Sequence, residues 1–222
     1  MNKKVFVALV VLVLVLVSMA CSTTTVSKAN PTSGSTSSTI LYQDKFTDSN
    51  SGWPHHQTAN STMDYASGGY RIYVTTTYLL VFAPSGHSFQ SNVSIGVDMT
   101  KTGGPDDNSI GVICRYQDAN NFYLFAISSD GYAGIAMYKD DTMYFLSGSQ
   151  FNPSSAINQG EATNHIRADC VDNSLTLYVN GTQVNSVTDT TFSSGGDAGL
   201  LARANGTSGV DILFSNFVVS KP

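Results

Sequence analysis

From Ile40 to the C-terminus the apolar positions recur with a period of two, not 3.6, which marks strands with one buried face rather than amphipathic helices. The alternation predicts strands over residues 69–74, 78–82, 93–99, 110–116, 122–128, 132–138, 165–171, 175–179, 198–202 and 210–219. Turn-forming clusters separate them: Ser67-Gly68-Gly69, residues 103–108 and 118–121, Asp130-Gly131, Asn180-Gly181 and Ser194-Gly195-Gly196. Asn180-Gly181, between Leu175-x-Leu177-x-Val179 and Val184, is the clearest hairpin signal, because both central positions of a type I′ turn need positive φ. Many short strands at regular spacing predict an all-β sandwich or barrel.

The same alternation assigns faces. Ile166, Ala168 and Cys170 share one face and His165, Arg167 and Asp169 the other. Ile110, Val112, Cys114 and Tyr116 likewise share a face, opposite Arg115 and Gln117. Cys114 and Cys170 therefore both point to the expected core. In an exported domain they invite a disulfide; two buried free thiols are the alternative.

Export is read from the first twenty residues. Lys3 and Lys4 precede an unbroken apolar run over 5–17, followed by Ser18-Met19-Ala20. This is the layout of a secretory signal peptide over 1–20, and the run is shorter than the roughly 20 residues a membrane span needs. Cys21, placed directly after small residues, resembles the lipidated cysteine of bacterial lipoproteins, although Ser18 stands where that group usually has Leu. Lipidation at Cys21 is the expectation, with ordinary cleavage to a soluble secreted protein as the alternative. Residues 21–39 are almost wholly Ser, Thr, Gly, Pro and Asn, the composition of a disordered tether. Residues 40–222 form one domain, expected to lie outside the cytoplasm with a lipid anchor as its only membrane contact.

Losing Lys3 and Lys4 takes the formal charge from -5 to -7. No basic stripe remains to neutralise phosphates, so nucleic acid is excluded as a partner.

A series of motifs adds a resemblance. Phe46-x-Asp48 with Ser51-Gly52-Trp53 opens the domain, and Gly68-Gly69-Tyr70-Arg71-Ile72 follows. Then come residues 111–118 (GVICRYQD), Asn121-Phe122-Tyr123-Leu124-Phe125, residues 175–181 (LTLYVNG), Gly199-Leu200 and Asn216-Phe217-x-Val219. The order is similar to the concanavalin A-like lectin/glucanase superfamily, above all its laminin-G-like and 3-keto-disaccharide hydrolase-like members. The resemblance covers residues 40–222. It implies a jelly-roll β-sandwich of two antiparallel sheets, with a concave face that often binds glycans. It does not fix the activity, since the fold carries lectins, enzymes and adhesion modules alike. Ser215 replaces the Asp that usually opens the terminal motif.

Glycoside hydrolysis usually needs two carboxyl groups at a set separation, and glucanases of this superfamily carry a Glu-x-Asp-x-x-Glu strand. This chain has one glutamate, Glu161, in a loop-like stretch, and no Gly-x-Ser-x-Gly elbow. No catalytic residue is assigned. His55 and His56 are adjacent and point apart on an extended chain. Asp106, Asp107 and Asn108 supply the oxygen ligands a structural Ca²⁺ would take, and an ordinary polar loop explains them as well. No other cofactor is expected.

For a sugar ligand, stacking rings and planar polar groups are the chemistry required. Arg71, Tyr73, Arg115, Tyr123, Tyr138 and Trp53 are the candidate binding residues, with core packing as the competing role for each aromatic. A non-catalytic module for a glycan or cell-surface polymer is the first functional reading. A structural or protein-interaction domain is the second. A glycosidase or lyase of the keto-disaccharide type, built where two of Asp98, Asp118, Asp169 and His165 converge, is the third.

Overall fold

The computed structural model describes residues 38–66 and 68–222. The expected export signal, Cys21 and the tether as far as residue 37 lie outside them. The described residues contain no helix. In chain order the strands are β1 (Ile40–Asp44), β2 (His56–Gln57), β3 (Ser61–Ala66), β4 (Gly69–Val74), β5 (Leu80–Phe89), β6 (Val93–Gly103), β7 (Asn108–Asp118) and β8 (Asn121–Ser128). There follow β9 (Tyr132–Lys139), β10 (Thr142–Phe145), β11 (Asn152–Pro153), β12 (Thr163–Val171), β13 (Ser174–Val179), β14 (Thr182–Thr188), β15 (Gly196–Ala204) and β16 (Val210–Ser220).

They build two sheets. One has nine strands in the order β14-β13-β12-β6-β16-β4-β3-β2, with β1 also on β16; the other has seven in the order β10-β9-β8-β7-β15-β5, with β11 on β9. Every ladder between these strands is antiparallel. Val112, Phe125, Ile127 and Leu200 of the seven-stranded sheet share one buried cluster with Ile72, Ile95, Ile166, Leu177 and Phe214 of the nine-stranded sheet. That cluster is the core between the layers, as expected where sheets pack face to face. Cys114 of β7 is bonded to Cys170 of β12 across it, so the disulfide joins the two sheets.

The hairpin turn forms as its residues require. Asn180 and Gly181 have φ of 49° and 83°, and the Asn180 amide is held from three sides. Its oxygen accepts from the His165 N–H at 2.9 Å, and its NH₂ donates to the Ala156 carbonyl at 2.8 Å and to Asn164 Oδ1 at 2.9 Å.

One face assignment is corrected. Tyr116 packs on the outer surface of its sheet, not in the core with Cys114. Arg115 adopts φ of 52°, and the register slips there against both β8 and β15. An inserted residue of this kind flips the side chains that follow it. The bulge also turns Arg115 inward, where it is 2 % exposed. Its Nε, Nη1 and Nη2 donate to the carbonyls of Ser91, Phe192 and Asp172 at 3.1, 2.8 and 2.7 Å. Those carbonyls belong to three separate connections at one end of the sandwich, which a single guanidinium fork ties together. Burial pushes that guanidinium down from its ordinary range, and Tyr123 and Asp172 partly oppose the shift.

Elsewhere the opening motif closes the core. The Trp53 ring sits 5.1 Å from Phe46, 5.5 Å from Tyr70 and 5.0 Å from Phe217. Its Nε1 donates to Asp44 Oδ2 at 2.9 Å.

Candidate functional site

Side chains on a strand alternate between its faces, so the residues between the core positions of β7, β8, β9 and β15 point away from the sandwich interior. Here they are apolar: Ile113, Phe122, Leu124, Ala126, Ala136 and Leu201 form a second buried cluster. An outer sheet face open to water would ordinarily alternate to polar residues; this one carries a second hydrophobic floor. Phe122 lies at its centre, with ring centroids 5.1 Å from Phe82, 5.7 Å from Tyr116 and 5.4 Å from Tyr138.

Leu80, Phe82, Tyr138, Met143 and Phe151 pack over this cluster, and two hollows open among them, one of about 390 Å³ and one of about 510 Å³. Met143 and Arg203 line both, so they are two lobes of a single groove. The first lobe is walled by Tyr132, Phe145 and Phe151 and by the polar groups of Asp107, Asp130, Gln150 and Asn205. The second is walled by Tyr78, Leu80, Phe82, Tyr138, Asn120 and Asp141. Each lobe has the size and mixed lining of a small-ligand site.

A polar relay runs along one side. Arg203 donates from Nε to the Tyr78 carbonyl at 3.4 Å and from Nη1 to Asn205 Oδ1 at 3.0 Å. Asn205 Nδ2 in turn donates to Asp107 Oδ1 at 2.9 Å. The guanidinium carbon lies 5.6 Å from the Tyr78 ring centroid. Tyr78 is 68 % exposed and has φ of 61°, an uncommon conformation for a bulky residue and one that clusters at functional sites. Its N–H is fixed to the Ala204 carbonyl at 2.6 Å.

The floor depends on small residues. A Cβ added at Gly134 would collide with the Phe151 ring, which also meets Phe145 edge-on at 5.6 Å. Gly134→Ala is therefore expected to push Phe151 off the sheet and destabilise the domain by about 1–3 kcal/mol. Thermal unfolding of the variant checks this; an unchanged midpoint would contradict it.

The six expected binding residues do not gather in one place. Tyr138 alone lines the groove. Trp53, Arg115 and Tyr123 are buried, the first two as described above. The Tyr123 hydroxyl donates to Asp189 Oδ1 at 2.5 Å and accepts from the Phe192 N–H at 2.9 Å, and burial together with Asp189 pushes it up to about 12. An interior side chain whose polar atoms are already bonded has nothing to offer a ligand. Arg71 and Tyr73 lie on the outer face of the opposite sheet. There Arg71 forms a two-pronged pair with Asp211 at 2.7 and 2.6 Å and stacks 4.8 Å over Tyr73.

The proposed calcium loop does not fit the ion. Asp106 Oδ1 faces Lys101 Nζ at 2.7 Å, and Asp107 turns toward Asn205. The Asn108 side chain is buried, donating to the Pro105 carbonyl and Ser129 Oγ at 2.9 and 3.0 Å. Ca²⁺ takes six to eight converging oxygens. Among the described residues no group of three or more His, Cys, Asp or Glu side chains could hold a metal ion.

Of the carboxylates and histidine considered for catalysis, Asp98 and His165 do meet, Nδ1 to Oδ1 at 2.6 Å, with Asn216 Nδ2 donating to the other Asp98 oxygen at 2.7 Å. His165 and Asn216 border a hollow of about 170 Å³ on the outer face of the nine-stranded sheet, which shares no lining residue with the groove. Half of the His165 side chain is exposed. The Ser94 hydroxyl, on the same hollow, donates to Asp169 at 2.7 Å.

Known structures share this architecture. A carbohydrate-binding module of family 66 from Bacillus subtilis matches with a TM-score of 0.61 at 17% identity, over 77% of this chain and 96% of its own. A B. subtilis protein of unknown function with a galectin-like fold matches with a TM-score of 0.61 at 8% identity, over 82% of this chain and 96% of its own. The chain is a jelly-roll β-sandwich. A Crh5 transglycosylase solved with N-acetylglucosamine also matches, with a TM-score of 0.59 at 11% identity, over 83% of this chain and 86% of its own. At these identities the likeness is one of fold. No protein-family model and no curated protein sequence matches the chain.

Proposed function

We propose that the protein is a non-catalytic glycan-binding module, tethered outside the cytoplasm through lipid on Cys21, and that the groove over the seven-stranded sheet is its binding surface. The observation that carries this reading is the groove's chemistry. It combines an apolar, ring-rich floor with amide, carboxylate and guanidinium groups at its sides, the combination that meets both the apolar faces and the hydroxyls of a sugar. The fold is shared with a carbohydrate-binding module and with a transglycosylase, and the absence of a Glu-x-Asp-x-x-Glu strand from the sequence, whose one glutamate is Glu161, favours binding over hydrolysis of the glucanase kind.

The position of β1 is compatible with this role. Ile40 pairs with Ser220, which pairs with Ser94 at the start of β6. Asp107 follows the other end of β6, about 30 Å away at the usual rise of an extended strand. The polar lobe therefore opens at the end of the sandwich opposite Ile40, the first residue of β1.

The protein-interaction reading draws on a different observation: Arg71 and Arg115 are both satisfied internally, one by Asp211 and the other by three carbonyls. A glycan array probed with the purified protein, with and without Ca²⁺, separates the two. Selective, Ca²⁺-independent binding that falls about tenfold or more in Tyr78→Ala is the expected result, stacking on one ring contributing ~1–2 kcal/mol. Tyr78 is mostly exposed, so this variant should retain its fold. A folded protein that binds no glycan would overturn the proposal in favour of a protein partner.

A further inference from the structure

The charges that line the groove are unequal, and they narrow the class of glycan it can hold. Asp107, Asp130 and Asp141 present three carboxylates, against a single cation, Arg203. Among the described residues none of the three is ion-paired with Lys, Arg or His. Arg203 keeps its charge, because its bonded partners are neutral, but one cation offsets only one of the three carboxylates. Its Nε and Nη1 are bonded to Tyr78 and Asn205, and Asn205 in turn holds Asp107. The anions sit on both lobes, Asp107 and Asp130 on one and Asp141 on the other, so a chain crossing the groove meets them along its whole path.

We infer that the groove takes uncharged glycan chains and rejects acidic ones such as uronic-acid polymers; this rests on the glycan-binding reading above. A ligand carboxylate bound here lies within reach of at least one unpaired anion and finds one cation, Arg203, in return. At separations of about 6–8 Å, in a groove partly shielded from water, that balance lowers affinity about tenfold for each acidic sugar held. Added salt narrows the difference by screening it. Asp130 and Asp141 are the specificity-determining residues. Asp141 sits in a turn at φ of 61°, a conformation asparagine adopts readily, so its charge can be removed with little disturbance of the turn.

The test uses matched polymers that differ in charge: polygalacturonate against its methyl ester, and carboxymethyl-cellulose against hydroxyethyl-cellulose, beside a panel of neutral polysaccharides. Retardation of the full chain in gels containing each polymer measures the affinities. The neutral member of any pair that binds should be favoured about tenfold or more. In the double variant Asp130→Asn/Asp141→Asn that gap should shrink several-fold. An acidic member bound as tightly as its neutral partner would overturn the charge selectivity while leaving glycan binding intact. Retardation by no polymer at all would instead remove the glycan-binding reading, and the selectivity with it.

Discussion

Arg115→Ala should cost about 3–5 kcal/mol of stability and lower the melting temperature by roughly 10 °C, given about 2–4 °C per kcal/mol for a domain of this size. The side chain is 2 % exposed and donates to three backbone carbonyls, of Ser91, Phe192 and Asp172. Truncation leaves three carbonyls without their donor, and a buried group stripped of its partner costs about 1–3 kcal/mol. It also opens a cavity as large as the lost side chain. Arg115→Lys should fall between the two, because an ammonium on a single stem cannot reach three directions as a planar fork does. Denaturant unfolding of the three proteins checks the order. An Arg115→Ala midpoint equal to that of the parent would mean that the fork does not hold those connections together.

Removing the cross-link should have an effect of the same order. Cys114 and Cys170 are 56 positions apart, and closing a loop of that length restricts the unfolded chain by ~4 kcal/mol. Cys114→Ala/Cys170→Ala should unfold at correspondingly lower denaturant, and reduction of the parent should reproduce the shift. The two effects are coupled. Arg115 follows Cys114 directly, and the Asp172 carbonyl it grips lies two residues beyond Cys170. Disulfide and guanidinium thus clamp the same end of β7 and β12, and the combined variant should lose less than the sum of its parts. Strict additivity would show that they act on separate regions.

Much of the fold was legible in the sequence because a period of two is imposed wherever one face of a strand is buried. Ile166, Ala168 and Cys170 point inward as their alternation requires, and Asn180-Gly181 makes its turn with the backbone those residues favour. The strands that escaped are short or weakly patterned. β3 reads Ser-Thr-Met-Asp-Tyr-Ala, β10 has four residues, and β2 and β11 have two each. Alternation also fails at a bulge, which is why Tyr116 changed faces after Arg115.

The groove was far less visible. Its floor reads as ordinary strand residues, since a sheet buried on both faces loses its polar alternation. Composition cannot separate the interior Tyr123 from Tyr138 in the groove, because both follow the same strand grammar. Arg203 was readable as the one cation among the alanines of β15. Tyr78 was not, because its exposure follows from a left-handed backbone that nothing in Thr77-Tyr78-Leu79 announces.

Whether the groove binds glycan is tested most directly by comparing variants of the two outer sheet faces. Tyr78→Ala and Tyr138→Ala alter the groove, while Arg71→Ala removes the Asp211 pair on the opposite sheet. Affinity of each for the tightest-binding neutral polysaccharide is the quantity to measure. Both groove variants should bind about tenfold or more weakly than the parent, and Arg71→Ala should match it. Binding lost in Arg71→Ala but retained in both groove variants would place the ligand on the nine-stranded sheet and contradict the assignment.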